Sequence, residues 1–246
     1  MNRISEKTFV WAHRGASGYR PENTLEAFAL AAEMGADGVE LDVHFTRDGQ
    51  VVVIHDEKID RTSNGQGEVK DYTLEELNSF DFGFKFYGGR RGIKLPTLDE
   101  VYELLSPAGL TVNVEIKAVD PYLPAVCDKI ARRHNMENKV IYSSFDHLQL
   151  LRMKQVNPDA VIAPLYGFNL VNPWNYAKDM GAGAVHPRLT LLDSLEKYVD
   201  RCHSAGLRVH PWTVNSEEDV KHLIELGCDA IITNYPDMAL AVRDGK

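Results

Sequence analysis

Short apolar runs and longer amphipathic stretches alternate along the 246 residues of this chain. The runs fall at 9–12, 38–43, 111–117, 139–143, 160–164, 183–187, 207–212 and 230–233. Their nearly continuous apolar character predicts strands buried on both faces. Between them the period lengthens to that of a helix. Leu25, Phe28, Ala29 and Ala32 recur at i, i+3, i+4 and i+7, with Asn23 and Glu26 placed as a capping pair. Thr97 and Glu100 cap a helix carrying Leu98, Val101, Leu104 and Leu105, and Ser216 precedes one carrying Val220, Leu223 and Ile224. One unit repeats: Glu33-Met34-Gly35-Ala36-Asp37-Gly38-Val39, Asp179-Met180-Gly181-Ala182-Gly183-Ala184-Val185 and Glu225-Leu226-Gly227-Cys228-Asp229-Ala230-Ile231. Each ends a helix on Gly, which suits the left-handed residue there, and then enters a strand. His203-Ser204-Ala205-Gly206-Leu207 is a looser copy.

Eight strands alternating with helices over about 250 residues predict an α/β fold, a (β/α)8 TIM barrel. The competing doubly wound sheet would carry a Gly-rich phosphate turn after its first strand, and none follows residues 9–12. Residues 1–246 then form a single barrel domain with an insertion at about 44–96, after the second barrel strand. The insertion opens with a hairpin turning at Arg47-Asp48-Gly49-Gln50 and returning through Val51–His55. A segment rich in Gly and aromatics follows, with Phe80, Phe82, Phe84, Phe86 and Tyr87. Insertions at this point emerge at the C-terminal face of a barrel, where active sites lie, so this one is expected to wall the pocket.

Composition narrows the class. Apolar residues make up 44% of the chain, enough for a large core, and no run reaches the roughly 18 apolar residues of a membrane span. Met1–Lys7 holds no apolar signal segment, so a cytoplasmic location is expected. Lys and Arg number 27 against 36 Asp and Glu, a net charge of −9, which argues against nucleic acid as a partner. An anionic substrate must then be attracted locally. No basic amphipathic helix suggests stable membrane association. Cys127, Cys202 and Cys228 form no Cys-x-x-Cys pair, which leaves neither a disulfide framework nor a zinc-thiolate site.

Charged side chains punctuate the apolar runs. His13 and Arg14 follow the first, Glu40 and Asp42 share one face of the second, and Glu115 and Lys117 share a face at the end of the third. His55 ends the returning arm of the hairpin beside Asp56. Buried charges need partners, so three carboxylates, two histidines and two cations at strand ends suggest a metal and phosphate site. Three carboxylates suit one hard divalent cation, Mg²⁺ or Ca²⁺; the alternative is a set of salt bridges to Arg14 and Lys117. His13 and His55 are the acid–base candidates. His44, His186 and His210 are weaker and are expected to line the pocket; His134, His147 and His222 are expected to be structural. Arg14 and Lys117 can bind phosphate, and Trp212, at the end of the seventh run, can cover a small organic group or close the barrel top.

These positions occur in an ordered set. His13-Arg14-Gly15, Pro21-Glu22-Asn23-Thr24, Glu40-Leu41-Asp42-Val43, His55-Asp56, Asp60-Arg61-Thr62-Ser63-Asn64-Gly65-Gln66-Gly67, Leu95-Pro96-Thr97-Leu98, Glu115-Ile116-Lys117 and Trp212-Thr213-Val214-Asn215 span nearly the whole chain. Together they resemble the glycerophosphodiester phosphodiesterase family, in its short cytoplasmic bacterial type. The resemblance implies a barrel enzyme that hydrolyses glycerophosphodiesters, such as glycerophosphocholine and glycerophosphoethanolamine, to sn-glycerol 3-phosphate and an alcohol. By position it implies His13 and His55 as the acid–base pair and Glu40, Asp42 and Glu115 as metal ligands. It implies Arg14 and Lys117 on the phosphate and Trp212 against the glycerol. Two rivals remain. One is a phospholipase D-like hydrolase of lysophospholipids, with the insertion's aromatics lining an acyl channel. The other is a non-catalytic phosphodiester-binding barrel, which would have lost a histidine or a carboxylate.

Overall fold

Residues 7–246 are described by a computed structural model. Met1–Glu6, on which the expectation about a signal segment rests, lie outside the described residues. Strand β1 (Phe9–His13) turns into helix α1 (Leu25–Glu33), and β2 (Gly38–Phe45) returns beside β1. β3 (Val51–Val53), α2 (Leu74–Leu77) and α3 (Phe84–Tyr87) interrupt the rhythm. It resumes with α4 (Leu98–Leu105), β4 (Thr111–Ile116), α5 (Leu123–Arg133), β5 (Val140–Ser144), α6 (His147–Val156) and β6 (Val161–Tyr166). α7 (Pro173–Asp179), β7 (Ala184–Pro187), α8 (Tyr198–Ser204), β8 (Arg208–Val209), α9 (Glu217–Leu226), β9 (Ala230–Thr233) and α10 (Pro236–Asp244) complete the chain.

The strands run in the order β8-β7-β6-β5-β4-β2-β1-β9 and every pair along it is parallel. The two ends of that order meet. Asp229 N donates to Val209 O (3.0 Å), Ile232 N to Pro211 O (3.1 Å) and Val214 N to Ile232 O (2.9 Å). The sheet is therefore a (β/α)8 barrel. β3 lies outside the ring, antiparallel to the end of β2.

Alternation along the strands sorts the side chains. Val39, Leu41 and Val43 of β2 join Val112 and Val114 of β4 in the core beneath the helices. Trp11, Ile141, Ala163, Ala184, Ala230 and Ile232 instead fill the barrel's interior. His186 and His210 also lie there, 0% and 1% exposed, with His186 Nε2 and His210 Nδ1 3.0 Å apart. The Trp11 ring packs edge-on against His210, 4.6 Å between centroids. Both histidines are thus interior packing rather than lining of the mouth that holds the other candidates.

Other expectations are adjusted. The cap of α1 is Thr24, whose side chain accepts from Ala27 N, while Asn23 is used elsewhere. The helix buries Ala27, Phe28 and Ala31 and leaves Leu25 exposed. α4 has the expected capping box of Thr97 and Glu100, but it buries Tyr102 where Leu104 was expected. The seventh barrel strand is shorter than its apolar run. It stops at Val209, and Trp212 lies beyond it on an isolated bridge to Arg188.

The insertion packs on itself. Val52, Ile54, Ile59, Val69, Leu77, Phe82 and Leu95 form a small core, with Phe80 against it. Phe84 and Phe86 lie in α3 at its surface, and Phe86 is exposed. Among the described residues no helix is long and apolar enough to cross a membrane.

The buried histidine pair makes stability depend on pH. Burial pushes His186 from 6.5 down to about 3, and burial and His186 push His210 well down. Unfolding releases two histidines that bind protons from pH 6.5 downward while the folded chain does not. Stability from this pair is therefore complete above pH 6.5 and falls as pH drops toward about 3. At about pH 5 the loss from His186 is about 2 kcal/mol, and His210 adds to it in the same direction. Denaturant unfolding of the wild type and of His186→Gln at about pH 7 and pH 5 measures it; the variant should lose less.

Candidate active site

The turn after β1 places the first two groups. Arg14 takes a left-handed φ of 57°, a conformation that costs a residue with a side chain about 1–3 kcal/mol. Its amide donates both to the carbonyl of Glu40 (2.9 Å) and to Glu40 Oε2 (3.1 Å). Gly15 follows at φ 78°, where a Cβ would stand 2.6 Å from the Ala27 backbone. Nothing larger fits, and the tight turn sends the Arg14 side chain into the barrel mouth.

Parallel register does the rest. His13 pairs with Glu40, Glu40 with Asn113, and Asp42 with Glu115. Glu40, Asp42 and Glu115 are buried, and one oxygen from each lies within 4.8 Å of the others. Asp42 receives Asn23 Nδ2 (2.8 Å) and lies 3.3 Å from Arg14 Nε and 4.0 Å from Lys117 Nζ. Lys117 Nζ is 2.9 Å from Glu115 Oε1. Arg14 Nη1 donates to Glu22 (2.9 Å).

This balance leaves charge over. Burial opposes the ionised form of Asp42, but Arg14, His55 and Lys117 together hold its carboxyl below the ordinary value. Burial, Asp42 and Glu115 push Glu40 well above it. Burial and Asp42 push Glu115 up to about 7 against the pull of Lys117. Asp42 Oδ1 and Asn113 Oδ1 are buried without hydrogen-bond partners. Unsatisfied oxygens among crowded carboxylates are the donor set of a hard cation, so the residues present fit a divalent metal ion.

Both expected histidines reach this site. His13 Nδ1 donates to the amide oxygen of Asn234 (2.7 Å), which turns Nε2 toward Glu40 Oε2 at 3.8 Å. Burial and Arg14 push His13 down to about 4. His55 Nδ1 donates to Asp56 Oδ1 (2.6 Å), and its Nε2 receives Lys117 Nζ (3.2 Å). The Nδ1 partners differ, a neutral amide for His13 and a carboxylate for His55. His44 sits behind the site, buried, its Nε2 donating to the carbonyl of His55 (3.2 Å).

His13, Arg14, Glu40, His55, Glu115 and Trp212 line one cavity of about 80 Å³, with Asn113, Phe145 and Leu165. Lys117 approaches it over the Phe145 ring (5.8 Å), and Phe145 packs edge-on against Trp212 (5.4 Å). The Trp212 indole donates to the carbonyl of His186 (2.8 Å). The insertion contributes His55 to this wall and none of its phenylalanines: Phe82 and Phe80 go to its own core, Phe84 and Phe86 to its surface. A larger cavity of about 560 Å³ opens at the opposite mouth around Trp11, Lys139 and Arg208, far from the carboxylates along the strands. The chemistry belongs to the smaller one.

Asn113, Phe145 and Asn234 escaped sequence reasoning. Asn113 lies two residues before Glu115 on the same face, and Phe145 and Asn234 directly follow β5 and β9. The signals that singled out Glu40 and His13 would have found them.

Similarity to known proteins points the same way. Residues 13–238 match the Glycerophosphoryl diester phosphodiesterase family. The chain is 44% identical to a glycerophosphodiester phosphodiesterase of Caldanaerobacter subterraneus subsp. tengcongensis, over 97% of this chain and 99% of that protein. It is 37% identical to one of Bacillus altitudinis, over 96% and 98% respectively. Among solved structures, it superposes on an Oleispira antarctica phosphodiesterase in complex with the product sn-glycerol-3-phosphate with a TM-score of 0.88 at 26% identity, covering 97% of each chain.

Cation binding has a readout in stability. Mg²⁺ or Ca²⁺ should raise the Tm of the chelator-treated protein, by about 2.7 kcal/mol of stabilisation at a hundredfold excess over Kd. Glu40→Gln relieves the carboxylate crowding, so in chelator it should melt above wild type and respond weakly to the cation. Calorimetry that finds no cation-dependent Tm in the wild type would rule the site out.

Proposed function

The chain belongs to the glycerophosphoryl diester phosphodiesterase family and hydrolyses glycerophosphodiesters, and we propose that His13 and His55 carry the proton transfers of that reaction. The supporting observation is that both rings, their Nδ1 atoms tied down, share one cavity with Glu40, Asp42 and Glu115. The whole chain, 1–246, acts as one catalytic domain, with the insertion at about 44–96 as part of it. Arg14 and Lys117 bind the diester phosphate, and Trp212 packs against the glycerol moiety. Glu40, Asp42 and Glu115 hold one divalent cation, Mg²⁺ or Ca²⁺. When bound, it supplies positive charge against the non-bridging oxygens as negative charge builds on them.

The two histidines divide the work by their partners. His13, buried beside Arg14 and backed only by an amide, stays neutral to about pH 4. Its Nε2 takes the proton from the attacking O–H, that of water or of the substrate's own glycerol. His55 is backed by the Asp56 carboxylate, which stabilises the imidazolium. With Lys117 turned to the substrate phosphate, its Nε2 carries a proton and delivers it to the departing alkoxide. Removing a positioned acid or base costs about 10²–10⁴ in kcat.

An activated leaving group separates these roles. His13→Ala should lose a similar factor with glycerophosphocholine and with glycerol phosphate p-nitrophenyl ester. His55→Ala should lose about 10²–10⁴ with choline but about tenfold or less with nitrophenolate, which departs without a proton. Equal losses by both variants on both substrates would refute the division.

Small water-soluble diesters are the proposed substrates and the cytoplasm the proposed location. A second reading, hydrolysis of lysophospholipids, draws on Phe145, Leu148, Phe168 and Val171, which stand exposed beside the mouth. A panel of glycerophosphocholine, glycerophosphoethanolamine and lysophosphatidylcholine decides, with release of choline or ethanolamine measured with and without chelator. The expected result is a higher kcat/KM for the small diesters, abolished by chelation and restored by Mg²⁺ or Ca²⁺.

A further inference from the structure

Arg61 belongs neither to the carboxylate cluster nor to the lining of the small cavity, yet it makes four charge-assisted hydrogen bonds beside the site. Its Nε donates to Asp56 Oδ2 (2.6 Å) and its Nη2 to Asp56 Oδ1 (3.2 Å). On its other edge Nη1 donates to Glu22 Oε2 (2.7 Å) and Nη2 to Glu22 Oε1 (2.8 Å). Asp56 Oδ1 also accepts the Nδ1 proton of His55 (2.6 Å), and Glu22 Oε1 also accepts Arg14 Nη1 (2.9 Å). One guanidinium thus closes a five-residue chain, His55–Asp56–Arg61–Glu22–Arg14, from the insertion to the turn after β1.

We propose that Arg61 is a positioning residue for the hydrolysis, a strut that holds Asp56 against His55 and so keeps Nδ1–H anchored and the Nε2–H of the acid turned to the substrate. The proposal rests on the role assigned to His55 above. Asp56 lies beyond the end of β3, where ladder hydrogen bonds no longer fix the backbone. Glu22 lies in the loop before α1, on the barrel proper. Between them only a planar group with two donor edges can grip both carboxylates at once. Held at Oδ2, Asp56 cannot rotate away from the ring, and the fixed Nδ1 donor sets which way Nε2 faces. Without the strut, Asp56 turns to water, and the His55 ring loses its anchor at Nδ1 and is free to rotate or flip, taking Nε2–H away from the leaving oxygen. The acid is then lost at the reacting atom although His55 itself is intact.

The side chain of Arg61 is 47% exposed. Exposed ion pairs contribute little to stability, so a structural role alone would leave activity untouched and the folded state intact. A kinetic role moves kcat at unchanged Tm. Arg61→Ala should lower kcat for glycerophosphocholine by about 10–100-fold, the usual effect of removing a residue that orients another. In a His55→Ala background the same change should cost less than twofold, because the residue it acts through is gone. Arg61→Lys, which can grip one carboxylate, should recover part of the loss. The Arg61→Ala defect should also shrink with the nitrophenyl ester. Wild-type kcat in Arg61→Ala beside a crippled His55→Ala enzyme overturns this proposal and leaves the acid assignment standing. A full additional loss in the His55→Ala background overturns it as well. Wild-type kcat in His55→Ala overturns the acid assignment itself, and this proposal with it.

Discussion

Three carboxyl groups packed together out of water are the constraint around which the barrel mouth is arranged. Glu40 and Asp42 stand two residues apart on β2, and Glu115 pairs with Asp42 across the parallel ladder. A one-residue slip between β2 and β4 would turn one set to the helix side and strand it in the apolar core. The neighbouring features answer the resulting charge. Arg14 accepts a strained left-handed backbone to bring its guanidinium to Asp42, and Asn23, also left-handed at φ 56°, gives its amide to the same residue. Lys117 leans back on Glu115. Even so, two of the three carboxyls are pushed above their ordinary values and Asp42 Oδ1 accepts no hydrogen bond. The protein has left room for one more positive charge.

The same crowding explains why the two histidines are not equivalent. His13 grows out of the ring itself and is enclosed by it, so desolvation governs its protonation. His55 arrives from outside the ring, on the far arm of a hairpin, and reaches the mouth only because β3 pairs with the end of β2. A group supplied by an insertion has no strand to fix its angle. It needs a tether, and the tether available is a carboxylate held below its ordinary value, about 2, chiefly by Arg61 and His55 against the cost of burial.

Much of this was legible in the residues. Strand positions followed from apolar runs, because strands buried on both faces have few other compositions. Glu40, Asp42, Glu115, His13 and His55 stood out because charge at a strand end has no other cheap explanation. The misses have physical causes. Thr24 and Asn23 are both good caps, and only the demand of Asp42 for a donor shows which residue is released from capping. Trp212 sits beyond its strand because Pro211 cannot donate to a ladder. His186 and His210 sit at strand positions like those of the catalytic candidates, and depth within the barrel, which periodicity does not report, sends them to the interior. The aromatics of the insertion read equally as channel or as core. A segment that leaves the barrel must bury something of its own, and that use took Phe82 and drew in Phe80.

An enzyme with a net charge of −9 that binds an anion must overcome its own field. The cations at the mouth do not act as a free positive patch, since Arg14, Lys117 and Arg61 are each already paired to a carboxylate. What faces the substrate is the difference between two nearly balanced sets, and a divalent ion held by the three carboxylates would tip that difference positive at one point. Screening by salt reaches such a buried, local field far less than a surface one. Attraction is thereby confined to the place where charge develops during the reaction, while the rest of the surface remains repellent to polyanions. The acidic composition and the anionic substrate are compatible because positive charge concentrates at a single buried point of an otherwise negative molecule.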